Sequence, residues 1–214
     1  MRDSAAMRER PVWRSYDPRW VANAVAHAKA GGHALVREAP RCWVLLPGGD
    51  DGSVPELTAW ALMDARLGAL STVKGGPAAG MLRVTVPLAA RGLVEGWCER
   101  DAGVATSTSP VDFDCRACAM CCRRNLALVD DDDVEAWRAA GRGELAGEGF
   151  LREVRGRRAL RVLRGGDCVH LRGNDCGIYE LRPANCAAFP MGSEGCLSSR
   201  EEAGLDLALP VIAP

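Results

Sequence analysis

Four cysteines lie within one stretch of eight residues, at Cys115, Cys118, Cys121 and Cys122. Cysteines that are adjacent or only two or three positions apart rarely reach the Cα separation and dihedral angle of an unstrained disulfide. Clustered thiolates are instead the ligands that zinc and iron–sulfur clusters take in proteins. The stretch therefore predicts a metal centre.

Eight of the ten cysteines follow residue 114, and we predict that all eight are metal ligands. They are Cys115, Cys118, Cys121, Cys122, Cys168, Cys176, Cys186 and Cys196. The repeat C-x2-C-x2-C can occupy three corners of a cubane cluster with a remote cysteine at the fourth, which favours an iron–sulfur cluster over zinc. Adjacent cysteines point apart and would be strained on one metal, so two metal centres are a further hypothesis.

The bulk composition limits the classes of protein that this chain can be. It has 214 residues, 48% of them hydrophobic, and a formal net charge of -1. This is enough apolar material for a core, and nothing in the overall charge attracts nucleic acid or an anionic membrane. No apolar run has the length of a signal peptide core or a membrane span. We expect a cytoplasmic protein without a membrane partner, in which cysteines stay thiols or bind metal.

Residues 1–110 are predicted to form a small α+β region. Hydrophobic spacing predicts helices over residues 20–30 and 88–100, and strands over residues 42–46 and 81–86. A capping box at residues 53–56 predicts the start of a further helix. The loop 47–52 lacks the residues of a phosphate-binding loop and is predicted to be a turn. Cys42 and Cys98 are predicted to be core residues.

Residues 111–214 are predicted to form a second, loop-rich domain stabilised by metal. The Ser/Thr-rich stretch 105–110 is the predicted join, because such residues form neither a helix nor a buried strand well. Within the domain we predict a strand over residues 125–129 and a helix that begins in the acidic run 130–133. The arginines of residues 152–164 alternate with apolar residues, as on a solvated hairpin, so nucleic acid is an unlikely partner.

The cysteine segment resembles a known family. The CxxCxxCC run, the C-x-I-Y-x-x-R-P-x-x-C element ending at Cys186, and Phe189-Pro190 are similar to the YkgJ-type cysteine-cluster proteins, a zinc- or iron-chelating family. The resemblance covers about residues 113–196 and implies that the motif cysteines bind metal. His170 stands where the family has an aromatic residue. We predict a packing role for it, with metal ligation as the alternative.

Three functions are compatible with this pattern. The first is an iron–sulfur protein with an electron-transfer, redox or accessory role, and the second is a zinc-stabilised interaction module. The third follows from resemblance to flagellin lysine methylase, which has a similar cluster, although the sequence shows no loop suited to S-adenosylmethionine. We expect a protein partner and predict no catalytic residue. His27 and His33 are predicted to lie at the surface or to pack against neighbouring residues.

Overall fold

A computed structural model describes residues 8–48, 53–111, 113–205 and 207. These residues divide into two compact units. Unit 1 comprises residues up to 111 together with the segment Gly192–Leu197 and residue 207, and unit 2 comprises Phe113–Met191 and Ser198–Leu205. The chain thus passes into unit 2 close to the predicted boundary at residue 110. The units are not consecutive in sequence, however, because one late segment belongs to unit 1.

Helices and strands both contribute to the chain, so the predicted α+β class is confirmed. The strands described in unit 1 are β1 (Arg8–Pro11), β2 (Trp13–Tyr16), β3 (His33–Glu38), β4 (Arg41–Leu46), β5 (Ser71–Thr72), β6 (Leu82–Val86) and β7 (Thr108–Val111). Its helices are α1 (Val21–Lys29), α2 (Glu56–Asp64) and α3 (Leu88–Arg100). The predicted helices at 20–30 and 88–100 and the predicted strands at 42–46 and 81–86 are confirmed.

Unit 1 is built on a five-stranded sheet with the order β2-β3-β4-β6-β5. Strands β2 and β3 are parallel and are joined through α1, whereas the other neighbours are antiparallel. Along β6 the side chains alternate between buried and exposed, as expected for a strand with one face in a core. Strands β1 and β7 pair separately as a two-stranded antiparallel sheet.

Helices pack on both faces of this sheet. Leu35 and Val44 share one apolar cluster with residues of α2 and α3. Ala34 and Leu45, one position along in the same strands, share a second cluster with α1. Successive strand residues point to opposite faces, so α2 and α3 cover one side and α1 lies on the other. Cys42 and Cys98 are buried in the first cluster and are core residues of unit 1.

The helix predicted to start in residues 53–56 is confirmed as α2, which begins directly after Pro55; the fixed φ of proline suits a helix start. One prediction about unit 1 is wrong. The stretch 105–110 is not simply a linker, because β7 begins at Thr108 and Ser109 is fully buried. Pro110 is tolerated there because a two-stranded sheet consists only of edge strands.

One strand of unit 1 was not predicted, and part of one predicted turn lies outside the described residues. Strand β3, whose residues 33–36 are all buried, was not predicted. Of the predicted turn at 47–52, residues 49–52 lie outside the described residues. No helix among those described is long and apolar enough to cross a lipid bilayer.

Both histidines of unit 1 are packing residues rather than surface residues. His27 is 4% exposed and its Nε2 donates to the Val12 carbonyl at 2.9 Å. His33 is 1% exposed, lies edge-on to Trp13 with 4.5 Å between ring centroids, and its Nε2 lies 2.9 Å from the Thr58 hydroxyl. Burial lowers the pKa of His33 to about 3, so this imidazole is neutral in the folded chain.

A buried ion network ties the late segment to the body of unit 1. The Arg10 guanidinium donates to both carboxylate oxygens of Asp101, at 2.8 and 2.9 Å, and neither side chain is accessible beyond 1%. Arg100 pairs with Asp101 and, at 2.5 Å, with Glu194 of the late segment. The Trp13 indole N–H donates to the same glutamate at 2.8 Å. None of the residues in this network stood out from the sequence.

Unit 2 contains short elements joined by loops. Its described helices are α4 (Cys115–Cys118), α5 (Met120–Arg124), α6 (Asp131–Ala139) and α7 (Ala184–Ala187), while α8 (Glu194–Glu202) begins in the late segment of unit 1. Its hairpins are formed by β8 (Leu151–Val154) with β9 (Arg157–Leu160), and by β10 (Leu171–Arg172) with β11 (Asp175–Cys176).

The predictions for these elements have mixed outcomes. Helix α6 begins with a capping box in which Asp130 and Asp133 each accept from the other's backbone N–H, so the acidic helix start is confirmed. The hairpin within residues 152–164 is confirmed as β8 and β9. The strand over 125–129 is wrong: only Leu128 forms a bridge, to Ala159.

Unit 2 has a core of its own. It consists of apolar residues from α6, from the β8–β9 hairpin and from the loops around them, with Trp137 1% exposed at its centre. The Trp137 indole N–H donates to the carbonyl of Leu181 at 2.6 Å. Cys168 and Cys176 are half-buried and pack against the edge of this core. The cysteine loops are therefore supported by apolar packing from one side.

Candidate metal centre

The first cysteine segment is two short helices separated by a left-handed residue. Ala119 has φ 53° between α4 and α5 and is 2% exposed. Its N–H donates to the Cys115 carbonyl at 2.9 Å, and its carbonyl accepts from the Cys122 N–H at 3.0 Å. A left-handed alanine costs about 1–2 kcal/mol, so the surrounding hydrogen bonds must hold this turn. The turn breaks the helical direction between Cys118 and Cys121.

The second segment carries Cys168 just before a tight hairpin and Cys176 in the second strand of that hairpin. The Cys168 N–H donates to the Cys122 carbonyl at 2.9 Å, which joins this segment to the first. The His170 N–H donates to the Cys168 sulfur, although burial outweighs this bond and raises the pKa of Cys168. In the hairpin, Cys176 pairs with Leu171. Backbone N–H groups directed at sulfur are a stabilising feature of thiolate sites.

The third segment places Cys186 in α7. Pro183 precedes the helix and its carbonyl accepts from the Cys186 N–H at 2.9 Å. The Ala184 N–H donates to Asp133 of α6 at 2.7 Å, and Asn185 accepts from the Leu128 N–H at 3.1 Å. Two side-chain contacts therefore attach this short helix to the rest of unit 2.

Five of the predicted ligands, drawn from all three segments, lie close enough for their charges to interact. They are Cys121, Cys122, Cys168, Cys176 and Cys186. A hydrogen bond between the adjacent thiols raises the pKa of Cys121 and lowers that of Cys122. Burial, followed by the nearby charges of the other segments' thiols, raises the pKa of Cys186 to about 12. Such crowded thiols would gain from a cation that neutralises their thiolate charges.

The other three predicted ligands are Cys115, Cys118 and Cys196. Cys115 is exposed and Cys118 is half-buried, at the two ends of α4. Cys196 lies in the segment Gly192–Leu197 of unit 1, where its N–H donates to the Ser193 hydroxyl at 3.3 Å. The assignment of all eight cysteines as ligands stays a prediction.

His170 is a buried packing residue in unit 2. It is 5% exposed and stacks on Phe150, with ring centroids 4.9 Å apart and planes inclined by 17°. Burial lowers the pKa of the imidazole, which favours its neutral form. Its Nε2 is buried and forms no hydrogen bond within the described part of the chain. An unpaired buried nitrogen costs free energy. His170 Nε2 is therefore the candidate ligand if the metal takes a donor atom other than cysteine sulfur.

Two arginines contact the cysteine loops. The sequence pointed to Arg182 as a cation that can offset the thiolate charge, whereas Arg123 was missed. Arg182 stacks over the Tyr179 ring at 4.1 Å, and its charge opposes the rise in pKa of Cys186. Arg123 reaches three loops, as described below. An arginine beside a cysteine motif is visible in a sequence. Its partners Gly173 and Asn174, however, are 50 and 51 positions away in the chain and are brought to Arg123 only by the fold.

The donors suit a soft, thiophilic metal. All five interacting side chains are thiols, which bind zinc and iron–sulfur clusters rather than magnesium or calcium. Among the described residues, no group of three or more His, Cys, Asp or Glu side chains already has the arrangement needed to hold a metal ion. The fit is therefore one of donor chemistry and of thiols close enough for their charges to interact.

The fold and the thiols together define a cysteine-cluster domain. Residues 114–203 match the model of the CxxCxxCC family, described as "putative zinc- or iron-chelating domain". The match falls on the segment that resembled this family in sequence, and the resemblance is confirmed. The match supports metal binding by zinc or iron. No curated protein and no solved structure matched the chain.

Proposed function

We propose that the cysteine domain binds an iron–sulfur cluster and serves an electron-transfer, redox or accessory role. The observation that carries the proposal is the group of five interacting thiols contributed by three separate chain segments. These thiols are enough to supply the four cysteine ligands that a cubane cluster takes. Two more cysteines, Cys115 and Cys118, lie in the same motif at the spacing of a cubane-binding segment.

The electrostatics of the site suit a cluster with several thiolate ligands. A centre with four thiolates carries excess negative charge, and Arg182 supplies a positive charge close to Cys176 and Cys186. The backbone N–H of His170 donates to the Cys168 sulfur and opposes the effect of burial, which raises the pKa of that thiol. When bound, the cluster would supply one-electron chemistry. The half-buried cysteines would leave such a centre close enough to the surface for exchange with a partner.

Anaerobic purification tests this proposal, with iron, zinc and acid-labile sulfide measured on the same sample as a visible spectrum. We expect brown protein with about four iron and four sulfide per cluster, whose absorbance falls on reduction. Cys186→Ser should lose this absorbance, whereas Cys98→Ser, a change in the core of unit 1, should retain it. Colourless wild-type protein that contains zinc and no sulfide would contradict the proposal.

A zinc-stabilised interaction module is the second candidate. Cys168 and Cys176 flank a hairpin of two-residue strands and pack against the core of unit 2. A metal bound there would fasten the hairpin to that core, which is the usual work of a structural zinc. The same elemental analysis separates the candidates, because this module would contain one or two zinc ions and show no redox change at the metal.

A further inference from the structure

Arg123 uses its whole guanidinium group to join three loops of unit 2. Its NH2 donates to the Gly173 carbonyl at 2.8 Å and to the Asn174 side-chain oxygen at 2.9 Å. Its Nε lies 3.3 Å from Asp167 Oδ1, and its NH1 donates to the Ala119 carbonyl at 3.4 Å. The Arg123 side chain is 26% exposed, and its bonds to Gly173 and Asn174 lie at the surface.

Each of these loops carries predicted metal ligands. Ala119 lies between Cys118 and Cys121, Asp167 directly precedes Cys168, and Asn174 is two positions before Cys176. The backbone of Arg123 also closely approaches one of the loops: a Cβ on Gly166 would lie 3.3 Å from the Arg123 carbonyl oxygen. A single side chain therefore bonds to the loops of the first and second cysteine segments.

We propose that Arg123 is a positioning residue of the metal centre. It fixes the relative positions of the loops that carry Cys121, Cys122, Cys168 and Cys176, so that their sulfurs can converge on one ion or cluster. The inference rests on the proposed metal binding, but it holds for zinc as well as for iron. Residues that hold the ligands of a metal in place commonly contribute 10–100-fold to its affinity.

The planar fork of arginine suits this task better than another cation. Its separate N–H groups point in fixed directions and meet oxygens of three different loops, whereas a lysine has one ammonium group on a flexible stem. Two of the four acceptors are backbone carbonyls and one is an amide oxygen, so Asp167 alone among the acceptors offsets the charge.

The neighbouring residue provides a matched control. Arg124 has the same charge one position later, but its NH1 pairs with Glu202 at 2.6 Å, and both side chains are largely exposed, at 47% and 60%. Replacing Arg124 with alanine removes an equal charge from the same helix without removing the contacts of Arg123. Exposed ion pairs contribute little, so we expect this variant to change metal affinity less than about twofold.

Cobalt(II) binding to metal-free, reduced full-length protein is the test, followed through thiolate-to-cobalt absorbance and competed with zinc. Arg123→Ala should weaken binding by roughly 10–100-fold. Arg123→Lys should recover only part of that loss, and Arg124→Ala should bind like the wild type. Hydrogen exchange on the metal-free proteins should show faster exchange of residues 166–176 in Arg123→Ala and unchanged protection of α6.

The opposing outcomes are distinct. Wild-type affinity in Arg123→Ala would overturn the inference, as would an equal loss in Arg124→Ala or full recovery in Arg123→Lys, which would show that charge alone matters. Loss of α6 protection in Arg123→Ala would show a general stabilising role and also overturn it. A wild-type protein that binds no cobalt would instead overturn the proposed metal binding itself, and the inference with it.

Discussion

The two units use cysteine in opposite ways. In unit 1, Cys98 is buried among apolar residues of α3 and the sheet, and burial raises its pKa to about 12. In unit 2, Cys122 is half-buried beside other thiols, and a hydrogen bond from Cys121 lowers its pKa. The same residue type is thus a small hydrophobe in one setting and a candidate ligand in the other. The difference comes from the neighbours that each fold supplies.

The units also differ in how they compensate buried charge. In unit 1 the carboxylate of Asp101 is held by two arginines, whose hydrogen bonds outweigh the effect of burial and lower the pKa of the acid. In unit 2 the crowded thiols have Arg182 as a nearby cation, and we propose a metal as the larger compensating charge. Unit 1 therefore compensates this buried carboxylate with its own side chains, whereas unit 2 is expected to gain stability from its ligand.

The largest expected effect separates the units by their response to metal. Structural metal sites contribute on the order of 10 kcal/mol of binding free energy to folding. Cys118→Ser or Cys186→Ser should therefore lose bound metal and destabilise unit 2, while peptides of unit 1 keep their protection in hydrogen-exchange mass spectrometry. Cys98→Ser is the counterpart, with full metal content and a cost of about 1–3 kcal/mol in unit 1. Full thermal stability and metal content in both ligand variants would refute their assignment.

Removing the acid of the buried network should affect unit 1 alone. Asp101→Ala leaves Arg10 and Arg100 without their shared partner, and the loss of one member of a buried ion pair costs about 3–5 kcal/mol. Urea unfolding with exchange readout on β3 and β4 measures this loss. Asp17→Ala, which removes an exposed ion pair of the same unit, is the control and should cost at most about 1 kcal/mol. Equal costs for both variants would contradict the network's role.

Acid should weaken unit 1 through His33. The folded pKa is about 3, against 6.5 for the free side chain, so the unfolded chain binds a proton that the folded chain excludes. The stabilisation is complete above about pH 6.5 and is lost as the pH falls toward 3, by up to about 1.4 kcal/mol per pH unit. In His33→Gln the unfolding free energy of unit 1 should be lower at pH 7 and depend less steeply on pH between 6.5 and 5. An unchanged slope would exclude His33 as the source.

The smallest effect is expected at the surface of unit 2. Arg158 pairs with Asp131 at the start of α6, and both side chains are exposed. Since exposed ion pairs contribute about 0–1 kcal/mol, Arg158→Ala should leave the unfolding free energy of unit 2 nearly unchanged. A loss above about 2 kcal/mol in chemical denaturation would show that surface charge supports unit 2 more than its core and cysteine loops do.

Local sequence signals predicted much of the fold. Helix α3 and strand β6 follow from the spacing of apolar residues, and α6 from its acidic first turn, because these signals act within one element. Strand β3 was missed because its residues 33–36 are buried on both faces and lack alternation. The sequence predicts a linker where β7 lies. Local signals do not reveal this strand, because it pairs with β1, about 100 positions away in the chain.

For the candidate site, the sequence by itself determined the donor type, the spacing of the CxxCxxCC run and the match to the family model, since these depend only on the order of the residues. Only the tertiary structure decided which thiols meet, placing five of them together and Cys196 in a segment of unit 1. It also decided that Arg123 reaches three cysteine loops. The physical reason is that hydrogen bonds and charge interactions act over a few ångströms in space, whatever the separation along the chain.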